Sequence, residues 1–198
     1  MIRGFHLADV FTLANGCSGV AAIFFAMNHL RSGHAGAVYA AGMLIIGALV
    51  FDVLDGRIAR WRHTASAMGR ELDSHADVVS FGVAPACLAY AVGMAGLWDV
   101  VALLYFVACG ISRLARYNVT AETLAAGSGK VPYFEGTPIP TSTVLVLLIV
   151  VLAWLGRIGP GLPLGVLALG PFALHPLVLL FVLSGSLMIS KTLRIPKP

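Results

Sequence analysis

Six stretches of this chain are apolar over roughly the length that a bilayer core asks of a helix, about 20 residues. They run from Val10 to Met27, Ala35 to Val53, Ala76 to Ala95, Leu97 to Ile111, Thr143 to Leu155 with its flanks, and Phe172 to Ile189. Hydrophobic residues fill 59% of the 198 positions and charged residues only 11%, with a mean hydropathy of +0.90. That is outside the range of a soluble domain of this size. The chain reads as an all-α integral membrane protein of six transmembrane helices, a single transmembrane domain over residues 1–198.

Lys and Arg set the orientation, because cytoplasmic segments carry the excess of positive charge. With the amino terminus inside, Arg3, Arg57, Arg60, Arg62, Arg70, Arg113, Arg116, Lys130, Lys191, Arg194 and Lys197 all fall on the cytoplasmic side, eleven of the thirteen basic residues. Arg31 and Arg157 fall on the other. The net charge of +4 then reflects topology and attraction to anionic lipid headgroups, not nucleic-acid binding. Met1 to Ala8 is too short for a cleavable signal, so the first span is read as permanent. Cys17, Cys87 and Cys109 lie within spans at no metal-ligand spacing and read as small buried hydrophobes. Tyr117 to Pro140, rich in Gly, Pro, Ser and Thr, reads as a cytoplasmic loop.

Between the second and third apolar stretches stand four aspartates. On helices, Asp52 and Asp55 are three apart and Asp73 and Asp77 four apart, so each pair projects from one face. Two helix ends can thus present four carboxylates to each other. Divalent cations relieve that charge near a bilayer, and all-oxygen ligation selects Mg²⁺, Mn²⁺ or Ca²⁺ over Zn²⁺. Two ions held by shared carboxylates suit the activation of a phosphoryl or pyrophosphate group. Gly56, Ala59 and Gly69 are small enough to let phosphates or a nucleotide ring approach the backbone, and Arg57 and Arg60 add charge suited to a diphosphate. The competing reading is an interfacial network of aspartates paired with nearby arginines. It accounts for any single pair, but not for two aspartate pairs on facing helix ends interleaved with small residues.

The full spacing, D-x2-D-G-x2-A-R-x8-G-x3-D-x3-D, resembles the signature of the CDP-alcohol phosphotransferases, membrane enzymes that displace CMP from a CDP-linked substrate with an alcohol. Asp52, Asp55, Gly56, Ala59, Arg60, Gly69, Asp73 and Asp77 match every fixed position. The resemblance implies a six-helix bundle, a homodimer and two divalent ions, Mg²⁺ or Mn²⁺. Asp52, Asp55 and Asp73 would hold one ion, and Asp52, Asp73 and Asp77 the other, with Asp77 as the base that deprotonates the acceptor alcohol.

Four further stretches resemble one branch of that family, the bacterial and archaeal phosphatidylserine synthases. They are Asp9 to Asn15, Asp77 to Pro85, Arg113 to Asn118 and Tyr133 to Pro140. That likeness implies transfer of a phosphatidyl group from CDP-diacylglycerol, or an archaeol equivalent, to the hydroxyl of L-serine, in the cell inner membrane with the site facing the cytoplasm. Thr12 and Asn15 join the nucleotide-binding candidates as hydrogen-bond donors. Arg113 and Arg116, three apart on one helix face, offer fixed cations to a serine carboxylate or a lipid phosphate, with Asn118 beside them. His75 and Thr137 depart from the branch, where an apolar residue and Leu are usual. Acceptors such as glycerol 3-phosphate or inositol phosphate bring a dianion and call for more cations than Arg113, Arg116 and Lys130. A transporter would set its carboxylates near the midplane, and these cluster at helix ends.

Overall fold

The computed structural model describes residues 7–62, 67–126, 133–190, 192 and 194–196. Arg3, Lys130, Lys191 and Lys197 of the orientation argument lie outside the described residues, as do the side chains of Ala59, Arg60, Arg62 and Arg194. Two long helices, α1 (Leu7–Ser32) and α2 (Ala35–Arg62), form an antiparallel hairpin. α3 (Ala67–Asp77) runs without a break through a π-helical stretch, Val78–Val83, into α4 (Ala84–Ala91). Then come α5 (Leu97–Ala126), α6 (Thr143–Trp154) and α7 (Leu179–Ile189). The helices match the six apolar stretches in order. Leu7–Ser32, Ala35–Ile58 and Leu97–Val119 are each long and apolar enough to cross a membrane, while Ile139–Trp154 and Pro176–Ile189 are shorter apolar helices. Phe24, Met43, Leu104, Val144 and Trp154 point outward and exposed. In a bundle whose inside is also apolar, that outer surface belongs in lipid.

Pro85 explains the π-helical stretch. A proline within a helix has no N–H to donate and its ring crowds the carbonyl four residues back, here Phe81. The wider turns absorb that ring, and the Phe81 carbonyl accepts from the Ser142 hydroxyl at 2.7 Å. The segment before α6 is thereby pinned to the middle of the α3–α4 rod. On the opposite side of the rod, Ser80 donates to the Asn15 carbonyl at 2.9 Å. Gly19 makes that approach possible, since a Cβ there would lie 2.7 Å from the Ser80 Cα. The same close contact fixes Asn15, one turn earlier on α1, against the end of α3.

The far end of the bundle is closed by its own clasp. Asp99, fully buried, accepts from the Gly96 backbone at 2.9 Å and from the His175 backbone at 2.7 Å, and its Oδ2 lies 2.6 Å from the His175 Nδ1. Gly159 donates to the Val92 carbonyl at 2.7 Å and the Trp98 indole to the Leu169 carbonyl at 3.2 Å. The turns after α4 and α6 therefore meet at one end, where Arg31 in the last turn of α1 and Arg157 just after α6 are both exposed. The four aspartates lie at the other. Successive helices thus alternate in direction, as six spans require.

Three expectations from sequence need correction. Tyr117 to Pro140 is not all loop: α5 runs on to Ala126, because no Gly or Pro interrupts residues 118–126. Phe172 does not open the sixth span. Phe172–Leu174 is a strand, β3, paired antiparallel with β2 (Leu167–Leu169), and helix begins only at Pro176, since Gly170, Pro171 and Pro176 break any earlier helix. A second pair joins β1 (Tyr133–Glu135) to β4 (Arg194–Pro196). Of the cysteines only Cys109 is buried; Cys87 is half-buried and Cys17 exposed on the apolar outside, where a small hydrophobe is equally at home.

Candidate active site

Asp52 and Asp55 stand one turn apart near the carboxyl end of α2, and Asp73 and Asp77 one turn apart in the last turns of α3. The antiparallel course of the two helices brings these ends together. One carboxylate oxygen from each of Asp52, Asp55 and Asp73 lies within 4.8 Å of the others. Helix α1 supplies the supporting donors: Thr12 donates to Asp55 at 2.7 Å and Asn15 donates through Nδ2 to Asp77 at 3.2 Å. The Gly56 backbone N–H also bonds Asp55. Thr12 and Asn15 are three apart, so one face of α1 addresses one carboxylate on each partner helix.

Among the described residues none of the four carboxylates is seen in a salt bridge, although the Arg113 charge acts on Asp77. Arg57 is exposed and turned to the surroundings. Arginine pairing of the kind considered from sequence is not seen among the described side chains, which do not include those of Arg60 and Arg62. Burial, with the charges of Asp55 and Asp52 adding to it, pushes the Asp73 carboxyl up to about 7, and its Oδ1 is buried without a hydrogen-bond partner. Converging acceptors short of donors are the surroundings a divalent cation fits, and carboxylate oxygens alone favour a hard ion. Beside the pair on α2, a Cβ on Gly56 would meet nothing within 4 Å, leaving open space at the backbone. Gly69 is half-buried at the start of α3.

α5 provides the cationic wall. Arg113 is buried and its guanidinium interacts electrostatically with Asp77, while its Nε has no hydrogen-bond partner. Arg116, one turn on, donates from Nη1 to the Ile189 carbonyl at the end of α7, 3.2 Å away. Asn118 is already engaged. Its amide donates to Glu71 Oε1 at 3.2 Å and to the Ser74 hydroxyl at 3.0 Å, so it clamps α5 to the helix carrying Asp73 and Asp77. His75 turns away from the carboxylates, its Nδ1 2.6 Å from the Glu71 carbonyl. It lines an apolar cleft of about 410 Å³ between α1 and α3, with Leu13, Gly16, Cys17 and Phe24.

Sequence reasoning passed over Asp9. It is buried and its negative charge acts on Asp55, so a fifth carboxylate borders the site. Its spacing was the available signal, three residues before Thr12 and six before Asn15, the same face of α1. Glu71 and Ser74 were also missed, because their part depends on Asn118, more than forty residues away in the chain.

The family model for CDP-alcohol phosphatidyltransferase matches residues 5–185. A Saccharomyces cerevisiae protein named CDP-diacylglycerol–serine O-phosphatidyltransferase is 45% identical over 201 residues, covering 100% of this chain and 73% of the yeast protein. Proteins of the same name are 38% identical in Mycobacterium tuberculosis, over 71% of this chain and 47% of theirs, and 33% identical in Bacillus subtilis, over 73% and 75%. The chain thus spans about half the length of the mycobacterial relative and three quarters of the other two. With the signature aspartates gathered at one site and the match running nearly end to end, the chain belongs to the CDP-alcohol phosphatidyltransferase family.

Proposed function

We propose that this protein transfers a phosphatidyl group from CDP-diacylglycerol to the hydroxyl of L-serine, giving phosphatidylserine and CMP. The observation that carries the reading is the meeting of Asp52, Asp55 and Asp73 within 4.8 Å, with Asp77 one turn beyond Asp73 and facing Arg113. The names of the relatives support serine as the acceptor.

Asp52, Asp55, Asp73 and Asp77 are the residues that would hold two divalent ions, Mg²⁺ or Mn²⁺. Bound there, such ions supply charge stabilisation to the diphosphate and to the departing CMP. Asp77 takes the proton of the serine hydroxyl. The serine oxygen forms its bond to the lipid-side phosphorus as the bond from that phosphorus to the bridging oxygen breaks, and CMP leaves with the bonding electron pair. Asn15 holds the Asp77 carboxylate in place through its Oδ1, leaving the other oxygen for the proton. Thr12 does the same for Asp55. Gly56, Ala59, Arg60 and Gly69 would border the nucleotide and diphosphate, and Arg113, with Arg116 behind it, the serine carboxylate. The acyl chains stay in lipid while serine and CMP are water-soluble, so the reaction belongs at the membrane surface. We place it on the cytoplasmic face, in a homodimer.

The test is to give the purified protein CDP-diacylglycerol and a panel of radiolabelled alcohols: serine, glycerol 3-phosphate and inositol phosphate. Label entering lipid from serine alone supports the reading. Label entering from a phosphorylated alcohol in its place removes it.

A further inference from the structure

The connection between α6 and α7 carries no polar side chain from Ile158 to Leu174. A turn that ends a helix and meets water is ordinarily polar. Here every residue from Leu164 to Phe172 is exposed, the large apolar Leu164, Val166, Leu167, Leu169 and Phe172 among them. Contiguous apolar surface of this kind marks contact with a protein or with a membrane.

The hairpin is held in place at its root. Gly170, at φ +67°, and Pro171 form a two-residue turn with glycine first, and β2 and β3 pair on either side of it. Gly96, just before α5, lies so close that any Cβ would run into the Ala173 carbonyl. The Trp98 indole donates to the Leu169 carbonyl at 3.2 Å, and Asp99 holds His175 directly after β3. These contacts keep the leucines turned outward.

Two observations say what covers them. Leu97, Val101 and Leu104 on α5 and Leu179 and Leu183 on α7 are also exposed, and the hairpin joins both helices at their ends, so its apolar surface runs on from the surface that the bundle gives to lipid. The ribbon is also apolar on both faces: Leu167 with Leu174 and Leu169 with Phe172 share one, Ala168 with Ala173 the other. A protein docked on one face would leave the other in water, whereas lipid surrounds both. The backbone sets the depth. β2 and β3 pair only with each other, and the open edges of such a ribbon do not occur within the hydrocarbon core. Trp98 and Trp154, both exposed, stand at this end of the bundle, and tryptophan is enriched where headgroups meet acyl chains.

We propose that the β2–β3 hairpin is a membrane-interface anchor, seated at the boundary between headgroups and acyl chains of the leaflet opposite the aspartates. Its large apolar side chains lie among the upper acyl segments and its strand edges among the headgroups. The inference goes beyond the transfer reaction and does not depend on which alcohol accepts the phosphatidyl group.

The experiment places single cysteines at Leu164, Val166 and Arg157 in the full chain lacking Cys17, Cys87 and Cys109, labels each with an environment-sensitive fluorophore and reconstitutes the proteins in phosphatidylcholine vesicles. All three side chains are exposed, so the labels displace no core packing. At Leu164 and Val166 the emission should shift to the blue relative to Arg157, and iodide in the water should quench it several-fold less. A lipid nitroxide near the top of the acyl chain should quench these two labels more strongly than one near its end. Trp98 serves as a built-in probe in Trp61→Phe with Trp154→Phe, and should show the same preference for the shallow nitroxide. Iodide quenching at Leu164 and Val166 equal to that at Arg157 would put the hairpin in water and overturn the proposal. Protection from both iodide and nitroxide lipids would show it covered by protein, a second copy of this chain included, and stronger quenching by the deep nitroxide would put it in the core; either result also overturns it.

Discussion

Thr12, on the first helix, donates its hydroxyl proton to the Oδ2 of Asp55, on the second, across 2.7 Å. The bond fixes one carboxylate of a cluster whose other members come from α2 and α3, so α1 acts as the frame of the site although it carries none of the four signature aspartates.

Thr12→Val keeps the shape and removes that donor. A hydrogen bond to a charged group contributes about 1.5–3 kcal/mol, so the divalent cation concentration needed for half-maximal activity should rise on the order of 10-fold or more. Titrating Mg²⁺ against serine incorporation in the two proteins checks this, and overlapping curves would remove Thr12 from the site.

Chelation should abolish activity, and Mg²⁺ or Mn²⁺ should restore it where Zn²⁺ does not, because the site offers only hard carboxylate oxygens. Serine transfer assayed in excess EDTA and after each add-back is the measurement. Full turnover in EDTA would mean that the aspartates serve some other purpose.

The orientation can be read by labelling single cysteines in a variant lacking Cys17, Cys87 and Cys109. Cysteines placed at Arg62 and Lys130 should react from the cytoplasmic side and those at Arg31 and Arg157 from the opposite side. Reaction of the Arg31 and Arg62 positions from the same side would overturn the alternating six-helix arrangement.

At the far end, His175→Ala leaves the fully buried Asp99 without its side-chain partner. Loss of a hydrogen bond to a charged group costs about 1.5–3 kcal/mol, so thermal stability in detergent should fall by several degrees. The KM for serine should not change, since the clasp lies at the opposite end of the bundle from Asp77. A raised serine KM at unchanged stability would contradict the structural role.

Much of this was legible in the chain because both its signals are local. A bilayer imposes a length on apolar segments, which sequence displays directly, and Asp52 with Asp55, or Asp73 with Asp77, share a face by helical spacing alone. Two kinds of feature escaped. The strand at Phe172 to Leu174 is as apolar as a span, so composition could not separate it from α7; the breakers Gly170, Pro171 and Pro176 decided its form. The roles of Asn15, Asn118 and Ser142 depend on partners about forty to sixty residues away, and spacing along one helix says nothing of which neighbour a side chain meets. Asn118 shows the consequence: a residue taken as a substrate contact spends its amide on Glu71 and Ser74.

The central claim, that Asp77 takes the acceptor's proton within a carboxylate cluster that binds the CDP-lipid, is tested most directly by Asp77→Asn. The substitution keeps size and the contact with Asn15 but removes the basic oxygen. With Asp52→Asn as the comparison, serine incorporation and CDP-diacylglycerol binding are measured on the same folded preparations. Asp77→Asn should lose about 10²–10⁴-fold in kcat while still binding the CDP-lipid, because Asp52, Asp55 and Asp73 remain; Asp52→Asn should lose both. Near-normal turnover in Asp77→Asn would contradict the account.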